Sequence, residues 1–68
     1  MSQKLKRSQY DELDRVVSDV QDAEYSARVG SHAILIATLA KIGHMVFSVS
    51  EAMKVAFDLL AQGWSDDE

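Results

Sequence analysis

The chain has 68 residues, no cysteine, no proline and a formal net charge of −4. That length allows one domain with a marginal hydrophobic core, and the missing thiols exclude disulfides and thiolate metal sites as reinforcement. Apolar residues, at 47%, are too many for a disordered chain, while the acidic balance suits it poorly for gripping phosphates.

Residues 1–7 read as a basic, frayed lead-in carrying Lys4, Lys6 and Arg7. No apolar run follows them, so nothing resembles a secretory signal, and a cytoplasmic location is expected. Ser8 is a candidate N-cap, with Asp11 and Glu12 in the first turn where the helix dipole favours acids. Tyr10, Leu13, Val16, Val17, Val20, Ala23 and Ala27 then recur at three- and four-residue spacings. At about 100° per residue they make a stripe roughly 140° wide, with the acids mostly opposite. Arg28 and Gly30 are stop signals, so the first helix is expected over about residues 9–28. Glu24 falls near the centre of that stripe, where a carboxylate is costly unless paired. It is expected to lean into solvent, the alternative being a pair with Lys41 beside Thr38.

Gly30 and Ser31 make a short link, which predicts antiparallel neighbours. Beyond it Leu35, Leu39, Ile42, Val46, Val49, Met53, Ala56 and Leu60 alternate four- and three-residue steps, a heptad seam. The seam predicts one helix over about residues 32–62, ending at Gly63 and continuous through Gly43. The alternative is a turn at 43–47, with Ser48 and Glu51 as a capping box restarting the chain, or Met45, Val46 and Phe47 as a short strand.

A second apolar series, Ala33, Ile36, Ala40, Gly43 and Phe47, flanks the seam; Ile34, Met45, Ala52, Phe57 and Leu59 widen it. The polar sector of Lys41, His44, Ser48, Glu51, Asp58 and Gln62 covers only about 100° of the circumference. One helix cannot cover the remainder, and a lone hairpin would leave a long apolar strip in water. The expected fold is therefore all-α: one antiparallel helical hairpin spanning residues 1–68, with an acidic tail at 65–68, paired by twofold symmetry into a four-helix bundle. The seam would be the dimer contact. The second helix, about 45 Å long against about 30 Å for the first, outruns its neighbour and leaves Met53, Phe57, Leu60 and Trp64 as candidate partner-binding anchors.

Chemistry-bearing patterns are sparse. His32 and His44 lie twelve residues apart, without the three- or four-residue spacing that sets two ligands on one helical face, so no metal or cofactor is expected. No serine sits in a glycine-rich elbow with a histidine placed as its base, so no catalytic site is expected either. The acids between Asp11 and Glu24 read as a solvated face, their alternative being a mimic of nucleic-acid phosphates. Residues 33–49 approach the length of a spanning helix, but Lys41 near the middle would cost about 2.5–3.5 kcal/mol there. The functional expectation is a non-enzymatic, homodimeric regulator, of the kind a virus or plasmid uses to inhibit a larger protein by occupying its groove or interface. A small membrane-active protein and an acidic nucleic-acid mimic are the alternatives.

Overall fold

The computed structural model describes residues 4–66. Along the chain run β1 (Leu5–Lys6), α1 (Arg7–Asp22), α2 (Tyr25–Lys41), α3 (Val49–Gln62) and β2 (Trp64–Ser65). The molecule is mostly helical and compact, as the periodicity predicts. Within residues 4–66, however, there are three helices, and both predicted helix boundaries have moved.

The α1 helix begins on Lys6 rather than Ser8; the Lys6 N–H donates to Gln9 Oε1 at 3.1 Å. Its stripe buries Leu13, Val16, Val17 and Val20, and Tyr10 packs against them. The helix stops at Asp22, not at residue 28, and the physical reason is Glu24. One more helical turn would set its carboxylate between Leu13, Val17 and Val20 on the buried side. Ala23 and Glu24 instead adopt extended backbone, and Glu24 becomes the exposed residue preceding α2. Gly30, the expected turn, lies inside α2 at an ordinary negative φ. Arg28 still serves a helix end, from the following helix: its Nε donates to the Ala23 carbonyl at 3.2 Å.

Lys41 at the end of α2 meets Glu12 in the first half of α1 at 3.3 Å, so the two helices run antiparallel. The predicted second helix, however, is broken. The Gly43 N–H donates to the Ala40 carbonyl and the His44 N–H to the Leu39 carbonyl, with Gly43 at φ +97°. That pair of bonds around a left-handed glycine is a Schellman stop. Five residues on, the Ser48 hydroxyl accepts the Glu51 N–H at 3.1 Å, while the Glu51 carboxylate takes the Phe47 N–H at 2.7 Å. The continuous helix over 32–62 is thus overturned by two end signals acting together: the chain breaks at 42–48 with Ser48 as the new N-cap, although Glu51 takes the Phe47 N–H and not the Ser48 N–H that a capping box uses.

The α3 helix packs Ala52, Ala56 and Leu59 onto Leu13, Val16, Val17 and Val20 of α1 and onto Leu35 and Leu39 of α2. Thr38 is buried with them, its hydroxyl donating to the Ile34 carbonyl at 2.7 Å. Residues 5–6 are no frayed lead-in. Leu5 is buried, and β1 pairs in parallel with β2 in the register Leu5 to Trp64 and Lys6 to Ser65. Gly63, at φ +81° and ψ −163°, turns the chain from α3 into β2, a conformation open in practice only to glycine. Of the predicted acidic tail, Ser65 belongs to β2 and Asp66 is exposed; residues 67–68 lie outside the described region.

Candidate interaction surfaces

The eight seam residues are turned towards the chain's own core, three of them buried and five half-buried. Leu35, Leu39 and Ala56 belong to the core, and Ile42, Val46, Met53 and Leu60 pack against it, with Val49 half-buried. Because the break at 42–48 turns α3 back over α1 and α2, the seam does not survive as one exposed face.

What remains in water lies on the other side of α2. Tyr25, Val29, Ala33, Ile36 and Ala40 fall within about 80° of one another at 100° per residue, their centre about 125° from that of Leu35, Thr38 and Leu39 and their nearer edge about 40° from Leu39. All five are exposed except Ile36, which is half-buried. No charged residue interrupts the stripe. Tyr25 is 87% and Val29 68% exposed, so its bulk sits at the helix start, and small side chains dominate towards its end. The α2 helix is thus apolar on two sides and covered on one.

The 42–48 loop adds two large apolar side chains, Met45 at 82% and Phe47 at 90% exposed. Phe47 stands where a hydrophobic staple would fold back onto Ala52. Its backbone is pinned by Glu51, yet its ring points into solvent.

The predicted C-terminal anchors divide. Met53 and Leu60 are half-buried against the core, and Phe57 is exposed on the same flank of α3. Trp64 has an intramolecular role: the Arg7 guanidinium lies 5.0 Å from its ring centroid, within cation–π range.

Glu24 is exposed, and Lys41, its suggested partner, pairs with Glu12 instead. Asp11, Asp14, Asp19 and Asp22 all lie on the exposed side of α1. His32 and His44 are half-buried on different elements. Among the described residues there is no pocket and no group of three or more residues placed to hold a metal ion. No helix of the described residues is long and apolar enough to cross a membrane; residues 33–49 are divided between α2, the loop and the first residue of α3.

Sequence periodicity missed Tyr25 and Val29, which belong to neither the apolar stripe of the expected first helix nor the seam of the second. The signal that could have found them was Glu24, whose misfit on the stripe marks the real bend. Compared with protein-family models, characterised proteins and solved structures, the chain matches none.

Proposed function

We propose that this chain is a non-enzymatic protein-binding module that self-associates through the outward face of α2 and regulates a larger protein by occupying a groove or interface on it. The observation that carries this is the charge-free stripe from Tyr25 to Ala40, left in water on a helix whose adjoining side is already buried. For a chain this small, burying such a stripe against a second chain adds apolar area that its own core cannot supply. With three helices in each chain, a dimer would hold six helices rather than four. The α3 flank of Met53, Phe57 and Leu60, with Trp64 beside it, then stays available as the surface for the regulated target.

The test is absolute mass by light scattering on a detergent-free sample across a dilution series. A dimer mass that falls on dilution is expected; a monomer at every concentration would overturn self-association.

A second proposal rests on the exposed aspartates of α1, which could present a row of negative charge to a nucleic-acid-binding protein. Competition with DNA for such a protein, lost when Asp11, Asp14, Asp19 and Asp22 are all changed to Asn, is its expected signature. Competition that survives those changes would dismiss it.

A further inference from the structure

We infer that residues 42–48 are a hinge through which two copies of this chain exchange α3, the α3 and β2 of each packing on the β1, α1 and α2 of the other. This goes beyond the contact through α2 proposed above and leaves that face of the helix untouched.

The buried residues of α2 and α3 keep a common count across the loop. Leu35 and Ala56 stand 21 residues apart, and Thr38, Ala52 and Leu59 are separated by 14 and 7, all multiples of seven. Two helices joined by a loop that reverses the chain need no common phase. A shared count of seven sets their buried sides on one face only when the residues between them are also wound as helix. The loop keeps the same count, with Ile42 seven after Leu35 and Met45 seven after Thr38.

Met45 carries the mark of the second state. Thr38, Ala52 and Leu59 are buried, yet Met45, the remaining member of their series, is 82% exposed in the closed chain. Folding back at Gly43 is what strands it in water. With the hinge straightened, Met45 rejoins the face that holds Thr38 and Ala52.

What keeps the loop closed is local. The Gly43 and His44 N–H groups donate to the Ala40 and Leu39 carbonyls, and Ser48 and Glu51 cap α3. A wound hinge replaces these with ordinary helical bonds and takes Gly43 from φ +97° to helical values. Meanwhile Ala52, Ala56 and Leu59 keep the core partners they have in the closed chain, now between copies instead of within one. The two states therefore differ at the hinge alone, and chain concentration selects between them.

The β1–β2 ladder reports which copy an α3 belongs to. Lys6 and Ser65 are paired across it, on strands about 4.8 Å apart, a separation that a disulfide spans, and the chain has no thiol of its own. In the double variant Lys6→Cys, Ser65→Cys the bond forms within one chain when α3 is closed and between two when it is exchanged. Adding Gly43→Ala and Ser48→Ala removes both helix stops. Refolded from urea at rising concentration and then oxidised, this chain should give a covalent dimer on a denaturing gel without reductant. Its dimer fraction should exceed that of the chain keeping Gly43 and Ser48 by about tenfold. The two single-thiol chains, oxidised alike, set the level of chance coupling. Internal disulfides alone at every concentration, in both hinges, overturn exchange. If the substituted hinge does not fold, the chain keeping Gly43 and Ser48, refolded at its highest soluble concentration, decides by the same criterion. Adding Val29→Glu separates this inference from the α2 contact: linkage between chains that survives it supports exchange, and linkage that disappears with it overturns exchange. A dimer by light scattering whose disulfides are all internal also overturns exchange and leaves the α2 contact standing.

Discussion

The chain bends twice, and the two bends are made by different physics. At residues 23–24 two residues of ordinary extended backbone separate α1 from α2, with no glycine and no side-chain cap on the new helix. At 42–48 a left-handed glycine, two crossed backbone bonds and a serine cap act together. The first bend exists because continuing the helix would bury a carboxylate. The second exists because the backbone groups of both helix ends are satisfied there. One is set by what it avoids and the other by what it makes, so they should respond differently to substitution.

The largest expected effect is at Leu39, which joins the second bend to the core. Its side chain is fully buried and its carbonyl receives the His44 N–H. Leu39→Ala should cost about 2–5 kcal/mol, read as a fall in the urea midpoint, and a loss below 1 kcal/mol would argue that the bend holds without its core anchor. Gly43→Ala should cost about 1–2 kcal/mol. No atom lies within 4 Å of the added methyl, so the loss isolates backbone conformation from crowding. Ser48→Ala should cost about 1 kcal/mol, through loss of the bond to the Glu51 N–H. Smallest is the first bend: Arg28→Ala removes one exposed hydrogen bond and should change stability by no more than about 0.5 kcal/mol. If Arg28→Ala matches Gly43→Ala, the two bends are more alike than their bonding suggests.

Glu24→Leu sharpens the contrast from the other side. It removes the misfit, so α1 should gain a turn or more of helix, seen as added backbone protection in hydrogen exchange across residues 23–26. Protection that stays low there would locate the cause of the bend elsewhere. The Lys41–Glu12 pair offers little leverage on either bend. Lys41 is 69% exposed, and such pairs contribute at most about 1 kcal/mol before screening by salt.

The all-α class and the apolar face of α1 were legible from spacing alone, because a stripe that is wet on one side has a single solution. Ser48 and Glu51 also spelled out the start of α3. The heptad from Leu35 to Leu60 misled for a physical reason. Spacing records which residues want burial, and a seam folded back at Gly43 buries them within one chain as well as a straight helix buries them against a twin. Part of the apolar surface that did stay in water came from Tyr25 and Val29, whose exposure depends on where α1 ends. Leu5 was hidden differently. Its burial comes from pairing with residues far along the chain, which local periodicity does not report.

That pairing gives the fold a mechanical character. Because β1 and β2 run parallel, the chain enters the ladder at one end and leaves it at the other. Tension applied between the chain's two ends would pull the strands past each other along their length, loading their hydrogen bonds together in shear instead of peeling them one by one. The Arg7–Trp64 stack and buried Leu5 sit at the same junction and would share that load. The two-residue ladder would thus be the first element to give way, and the helices behind it would carry no tension until it had.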